Sequence, residues 1–240
     1  GIIAAIVGGA AVVIYPAMIA AGLTAQQAAV SNLVVIMPAM LLAALSDRSQ
    51  LPPFNRAFVE LIFASVVGAG AGASLLLLTP QHLFSVLVPL LLAFATLLFA
   101  FADRISACLR ARAAARGHEL TFNVASLKML LPVSFYGGYF GAGVGVLLLG
   151  VFSVATGGDY RPANVTKNFV SSLNALVASA IFIIQGAVVW PQTLALMIGT
   201  IGGGLIGAQI ARVIPRQAVR VLVVAVGVAL TVALARRYWF

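Results

Sequence analysis

The sequence predicts an all-α membrane protein that crosses the bilayer several times. Of its 240 residues, 62% are hydrophobic and only 8% are charged, whereas a soluble domain carries about 25% charged residues. The mean hydropathy is +1.13. Apolar residues fill whole segments instead of alternating with polar ones, which excludes an outer-membrane barrel. The composition also excludes a soluble globular domain and a disordered chain.

Eight segments are apolar over the roughly 20 residues that a spanning helix needs. Polar breaks containing Pro52, Pro80 and Pro215 separate some of them. The predicted helices cover residues 1–20, 26–45, 56–78, 82–102, 124–152, 163–185, 191–211 and 217–235.

The net charge of +9 indicates cytoplasmic loops rich in Lys and Arg rather than nucleic-acid binding. If all eight segments cross the membrane, eight basic residues lie on one side of it and five on the other. The side with eight includes the C-terminal tail, so both termini are predicted to be cytoplasmic. The larger group is Arg48, Arg56, Arg104, Arg110, Arg112, Arg116, Arg236 and Arg237, and the smaller is Arg161, Lys167, Arg212, Arg216 and Arg220.

The two halves of the chain are predicted to be repeats. A shift of 136 residues aligns Asn32 with Asn168, and a shift of 135 residues aligns Pro80 with Pro215. Glycines align at similar shifts: Gly9 with Gly145, Gly68 with Gly203, and Gly72 with Gly207. The predicted organisation is a first transmembrane repeat (1–103), a basic connecting loop (104–123) and a second repeat (124–240).

The number of segments bears on the symmetry between the repeats. Four segments in each half predict parallel repeats related by an axis along the membrane normal. A re-entrant pair in the first segment of each half would change the count and with it the symmetry. Small residues one turn apart in segments 3 and 7 predict close helix packing, with the two stripes as each other's expected partners. The stripes are Ala64, Gly68 and Gly72, and Gly199, Gly203 and Gly207.

Segment 5 contains five glycines between residues 137 and 145. Since each glycine costs about 1 kcal/mol of helix propensity relative to alanine, this density predicts a broken helix near the repeat interface. The N–H groups of a half-helix start, here at Gly141, Gly143 and Gly145, can bind an anion near the bilayer midplane. The alternative is close helix packing without a break.

Segment 6 carries a polar stripe. Lys167, Ser171 and Asn174 have helical spacing and share one face, with Asn168 next to them. Lysine at a helix centre costs about 2.5–3.5 kcal/mol on insertion scales, so this face is predicted to line an anion site in the bundle. Segment 2 repeats the pattern more weakly with Ser31 and Asn32. The alternative is that Lys167 lies near the helix end and extends to the interface.

The sequence contains few residues suited to catalysis, proton coupling or metal binding. Glu60 is at i+4 from Arg56, so the pair is predicted to be a helix-end ion pair, with proton coupling through Glu60 as the alternative. There is no paired carboxylate, Cys/His dyad, GxSxG motif or metal-ligand spacing. The sequence therefore predicts neither an enzyme nor a metal or cofactor site.

The order of these motifs and their duplication resemble the TauE/SafE family of sulfite and organosulfonate exporters. The resemblance covers nearly the whole chain and is clearest in residues 137–237, although Val7-Gly8-Gly9-Ala10 departs from the family's run of three glycines. It implies a multi-pass transporter of the inner (plasma) membrane that carries small sulfur-containing anions such as sulfite or sulfoacetate. The polar helix starts of the family correspond here to Ser31-Asn32 and Thr166-Lys167-Asn168.

The site residues expected from these patterns are Ser31, Asn32, Gly141, Gly143, Gly145, Thr166, Lys167, Asn168, Ser171 and Asn174, with Glu60 as the coupling candidate. The expected function is secondary transport by alternating access around a midplane site between the repeats. The alternative is an anion channel whose pore is lined by the polar stripe.

Overall fold

The computed structural model describes residues 10–114, 124–155, 159–210 and 216–239, and every regular element within these ranges is a helix. The first half contains α1 (Ala10–Ala20), α2 (Ala25–Ser46), a 3₁₀ turn (Arg48–Gln50), α3 (Arg56–Leu78) and α4 (Gln81–Ala100). The second half follows α5 (Ala102–Ala114) and contains α6 (Val124–Tyr139), α7 (Val144–Ala155), α8 (Tyr160–Ile184), α9 (Trp190–Ile210) and α10 (Arg216–Trp239). The prediction of an all-α polytopic membrane protein is confirmed.

Five helices in the described ranges are long and apolar enough to cross a membrane: α2, α3, α4, α8 and the Val221–Trp239 part of α10. Large apolar side chains cover their outer faces. Phe63 is 69% exposed, Leu78 is 78% exposed and Ile184 is 81% exposed. Such a surface is stable only in contact with lipid, because a soluble protein rarely exposes large contiguous apolar patches.

Polar residues at the predicted breaks cap the helices. Thr24 and Gln27 form a capping box at the start of α2, in which each side chain accepts a hydrogen bond from the other residue's backbone N–H. Asn55 accepts a hydrogen bond from the Phe58 N–H at 2.9 Å at the start of α3, and Asp159 caps α8. These side chains satisfy N–H groups that have no partner within their own helix.

The predicted segment 124–152 is broken, as its glycine content indicates. α6 ends at Tyr139 and α7 begins at Val144. Gly141 and Gly143, in the connection between them, both have φ +79. This left-handed conformation is favourable for glycine and strained for residues with a Cβ. The glycines therefore end one helix and allow the next to begin in a new direction.

The two pieces of this segment form a helical hairpin. Leu148 and Phe152 of α7 pack in one cluster with Leu130 of α6, together with Leu61 and Ala163 near the starts of α3 and α8. α7 thus returns towards the face at which α6 begins. The prediction of one spanning helix here is wrong. α7 has 12 residues, or about 18 Å, which is too short for a hydrocarbon core of about 30 Å.

Equivalent helices of the two halves run antiparallel. Asp47, at the end of α2, accepts a hydrogen bond from the guanidinium of Arg161 at the start of α8, at 2.8 Å. Trp239, at the end of α10, donates its indole N–H to the carbonyl of Val86 near the start of α4, at 3.0 Å. α2 and α8, and likewise α4 and α10, therefore point in opposite directions.

These directions do not fit the parallel relation expected from four segments in each half, and they agree with the alternative of a re-entrant pair. A re-entrant hairpin adds no crossing, and the helices that follow it in the second half are α8, α9 and α10. Two repeats with the observed helix directions would have inverted topology, with their axis in the membrane plane. The motif Gly8-Gly9 lies outside the described residues.

The observed helix directions also change which basic residues lie on the same side of the membrane. The face at which α2 ends and α8 begins, called here the basic face, carries Arg48, Arg56, Arg104, Arg161 and the α10 start at Arg216. The opposite face receives the α10 end with Arg236 and Arg237. Arg161 therefore lies on the same face as Arg48 and opposite Arg236 and Arg237, which differs from the predicted grouping. An excess of basic residues is what the positive-inside rule expects of a cytoplasmic face.

Part of the predicted connecting loop 104–123 is helical. α5 starts at Ala102 directly after α4 and packs against α7. It carries several arginines and lies at the basic face. This position is typical of an amphipathic interfacial helix. Residues 115–123 lie outside the described ranges.

The small-residue stripe of α3 packs closely, as predicted, but its partner is α6 rather than the stripe of segment 7. A Cβ on Gly72 would collide with the backbone carbonyl of Phe135, and one on Gly138 would collide with the carbonyl of Ala69. Both contacts are to backbone, which cannot rotate away as a side chain can. α3 thus holds the hairpin through direct backbone contact.

Candidate functional site

Ser31 and Asn32 form the most unusual polar cluster on α2. Both side chains are fully buried. The hydroxyl of Ser31 and both amide atoms of Asn32 have no hydrogen-bond partner in the structure. More than nine in ten buried polar groups are paired in native proteins, and an unpaired one costs about 1–3 kcal/mol. Such a cluster is typical of a site that is completed by a ligand or by water.

The glycine break contacts α2 at Leu33, the residue that follows this cluster. A Cβ on Gly141 would lie 2.8 Å from Cδ2 of Leu33, the residue that follows Asn32. The hydroxyl of Tyr136 donates to the carbonyl of Ala142 at 2.7 Å and braces the connection. The hairpin of the second half therefore inserts its tip against α2 of the first half.

The start of α7 adds backbone donors at the same place. The first N–H groups of a helix have no partner in the helix, and they form the positive end of its dipole. Here α7 begins at Val144, directly after the tip glycines Gly141 and Gly143, and Gly145 lies in its first turn. A partly buried helix start of this kind is chemically suited to an anion.

A second polar group lies on α8. Thr166 is fully buried and its hydroxyl is unpaired, as is the hydroxyl of Ser171. Asn168 is 9% exposed. Lys167 is partly buried and takes part in neither of the ion pairs that form between described residues. This group combines one cation with several neutral hydrogen-bonding groups.

The two polar groups lie on neighbouring helices but at different depths. α2 packs against α8, and the Asp47–Arg161 pair aligns the end of one with the start of the other. Asn32 lies 15 residues before Asp47, and Asn168 lies 7 residues after Arg161. At 1.5 Å per residue, their depths differ by roughly 12 Å. The structure thus packs the Gly141 break against Leu33, next in sequence to Asn32, and places the Lys167 group nearer the basic face.

Asn174 is engaged elsewhere. Its Oδ1 accepts a hydrogen bond from Ser65 of α3 at 2.9 Å, and its Nδ2 donates to Ser134 of α6 at 3.3 Å. The two serine hydroxyls lie 2.7 Å apart. This buried network joins α3, α6 and α8, and it fixes the hairpin against its neighbours. Ser65 and Ser134 were not identified from the sequence, because each is a single small polar residue in an apolar helix.

Glu60 lies at the start of α3, where its Oε1 accepts a hydrogen bond from Nε of Arg56 at 2.8 Å. The two side chains are 59% and 94% exposed. The predicted helix-end ion pair is confirmed. Exposed pairs of this kind contribute little to stability.

Sequence reasoning missed the Asp47–Arg161 pair. Two guanidinium nitrogens of Arg161 donate to the two carboxylate oxygens of Asp47, at 2.8 and 3.0 Å. The hydrogen bond from Arg161 holds the pKa of the Asp47 carboxyl below its usual range. The partners are 114 residues apart, and only the antiparallel packing of α2 and α8 brings them together.

We expect Asp47→Asn and Arg161→Gln each to lower the melting temperature slightly. Each substitution leaves the other charged residue without its partner at the point where α2 ends and α8 begins. The charge-reversed double variant, Asp47→Arg with Arg161→Asp, should recover most of the loss. Because the folded pKa of Asp47 is depressed, the pair contributes above the usual aspartate pKa of about 3.9 and is lost as pH falls through the lower, folded value. Melting curves at pH 6 and pH 8 should therefore show equal effects. A double variant less stable than both single variants would contradict the pairing.

Comparison with known proteins gives a consistent result. A family model described as "Sulfite exporter TauE/SafE" matches residues 1–234. A curated relative from Sinorhizobium sp, described as "Probable membrane transporter protein ORF9", is 27% identical over 237 residues, which cover 98% of this chain and 87% of the relative. No solved structure matches the chain significantly.

Proposed function

Since the chain belongs to the sulfite exporter TauE/SafE family and is a multi-pass plasma-membrane transporter rather than an enzyme, we propose that it carries small sulfur-containing anions, such as sulfite or organosulfonates, by alternating access. The observation that supports this most directly is the buried, unpaired cluster of Ser31 and Asn32, which immediately precedes the residue of α2 that contacts the Gly141 break. Unpaired groups inside a lipid-embedded bundle are costly unless a ligand completes them.

The donors available there suit the oxygens of a sulfite or sulfonate group. The hydroxyl of Ser31, the amide of Asn32 and the backbone N–H groups of Gly143 and Gly145 can donate to an anion, whereas the N–H of Gly141 already donates to the carbonyl of Tyr136. Hydrogen bonds to a charged group are worth about 1.5–3 kcal/mol each. None of these donors carries a formal charge, so the site can accept an anion and release it again.

We assign the second group to the same transport path. Thr166, Lys167, Asn168 and Ser171 lie nearer the basic face, where Lys167 attracts the anion as it enters from the cytoplasm. Asn174 contributes indirectly, because its amide is hydrogen-bonded to the serines that position the hairpin. The repeats comprise residues 1–103 and 124–240, and the substrate passes between them.

The inverted repeat supplies a mechanism for alternating access. α2 and α8 are equivalent helices of the two halves and pack against each other, so rocking of one half opens one face and closes the other. The Asp47–Arg161 pair joins their ends at the basic face and closes that side. Export then requires this pair to separate when the anion enters. Glu60, at the same face, is the acidic candidate for proton coupling.

Transport assays in proteoliposomes test this proposal through Lys167. We expect the wild type to show saturable sulfite flux with counterflow, and Lys167→Gln to reduce sulfite binding and flux by about tenfold or more, because a desolvated cation that attracts the anion is lost. Lys167→Arg should retain part of the activity. The thermal shift produced by sulfite, measured on the same variants, separates binding from folding.

Two results would contradict parts of the proposal. If Lys167→Gln binds sulfite as tightly as the wild type, Lys167 extends to the membrane interface and is not part of the path. Flux that does not saturate and shows no counterflow would instead support the anion channel.

A further inference from the structure

A surface cavity lies between the start of α4 and the end of α10, on the face opposite the basic face. Its volume is about 500 Å³, and it is lined by Gln81, His82, Ser85, Val86, Arg237 and Tyr238. These side chains supply one guanidinium, an imidazole, an amide and two hydroxyls, and they include no carboxylate. The cavity is therefore electropositive, although its face of the membrane is poor in basic residues.

The cavity is braced by direct contacts between the two helices. The indole N–H of Trp239 donates to the carbonyl of Val86 at 3.0 Å and fixes the end of α10 on α4. The guanidinium of Arg237 lies 5.7 Å from the centre of the Tyr238 ring. α4 starts at Gln81 without a side-chain cap, so its first N–H groups add to the donors at this end. Tryptophan, tyrosine and arginine together are typical of the headgroup level of a bilayer.

Two apolar stripes continue from the cavity towards the membrane interior. On α4, Leu83, Val86 and Leu90 follow helical spacing and are 46%, 41% and 56% exposed. On α10, Val228 and Val232 share a face and are 51% and 47% exposed. α4 and α10 pack side by side. The polar cavity thus lies above an apolar surface that faces lipid.

From this arrangement we propose that the cavity binds the phosphate headgroup of an anionic phospholipid, whose acyl chains lie along the exposed stripes of α4 and α10. Arg237 provides the positive charge, and His82 and Gln81 provide further donors. A free phosphate ion would use the same donors but would gain nothing from the apolar stripes, and this favours the lipid. The proposal does not depend on the identity of the transported anion.

The test compares lipids on delipidated protein in a neutral detergent. Phosphatidylglycerol should raise the melting temperature and bind with at least about fivefold higher affinity than phosphatidylcholine with the same chains, as expected for one cation near the headgroup. Arg237→Ala should remove this preference. Arg236→Ala is the matched control, because Arg236 is the preceding basic residue and does not line the cavity.

Three outcomes would overturn the assignment. Equal losses in Arg236→Ala and Arg237→Ala would indicate general attraction between the basic helix end and anionic lipid. Equal binding of both lipids by the wild type would show that the headgroup charge is not recognised. Stabilisation by glycerol 1-phosphate that matches phosphatidylglycerol and is lost in Arg237→Ala would identify the site as one for a soluble anion.

Discussion

Replacing Asn32 by leucine is expected to abolish the thermal shift produced by sulfite and, at the same time, to raise the melting temperature of the empty protein. Both amide atoms of Asn32 are buried without partners. Leucine has nearly the same shape and removes the desolvation cost of about 1–3 kcal/mol. The same change removes a donor to the anion, which should weaken binding about 10–100-fold. Opposite signs for stability and for binding are characteristic of a residue kept for function.

Ser172→Ala is the matched control for this prediction. Ser172 lies on α8 and is 2% exposed, but its hydroxyl donates to the carbonyl of Phe169 at 2.7 Å. Since that bond is local to the helix, the variant should bind sulfite like the wild type. If Asn32→Leu instead lowers the melting temperature and retains the sulfite shift, Asn32 has a structural partner and the site lies elsewhere.

Gly138→Ala is expected to have the largest effect on folding. Its Cβ would collide with the backbone carbonyl of Ala69, so α3 and α6 would have to move apart. Overpacking of this kind costs about 3 kcal/mol, which corresponds to a melting temperature lower by roughly 10 °C and a reduced yield of folded protein. Separation of these helices would also strain the Ser65–Ser134–Asn174 network and displace the hairpin tip.

Gly199→Ala on α9 serves as the comparison. No heavy atom lies within 4 Å of the Cβ position of Gly199, so alanine there should be neutral or gain up to about 1 kcal/mol of helix propensity. Thermal unfolding in detergent measures both variants. Equal melting temperatures for Gly138→Ala and Gly199→Ala would show that α3 and α6 are not in the close contact described above.

Much of the fold was predictable from sequence because lipid imposes a simple rule. A helix that crosses the bilayer must be apolar over about 20 residues, and such segments can be recognised one at a time. The break at Gly141 was also predictable, because helix propensity is a local property. Ser31 and Asn32 were recognised for a similar reason: polar residues inside an apolar helix need a partner.

Other features depended on how the segments meet. The sequence of residues 124–152 is apolar throughout, and only packing shows that α7 turns back along α6. That single difference changes the number of crossings in the second half and the direction in which its later helices run. The partners of Asn174 were hidden for the same reason, since Ser65 and Ser134 come from distant parts of the chain.

The sequence by itself therefore determined the class of the protein, the positions of most helices, the glycine break and the polar residues that lipid cannot solvate. These properties follow from the transfer of individual residues and segments between water and lipid, which depends on local composition. The tertiary structure alone decided that α2 and α8 run antiparallel, that Arg161 pairs with Asp47, and that Asn32 and Asn168 lie at different depths. Those features depend on contacts between segments more than 100 residues apart, and local composition does not specify such contacts.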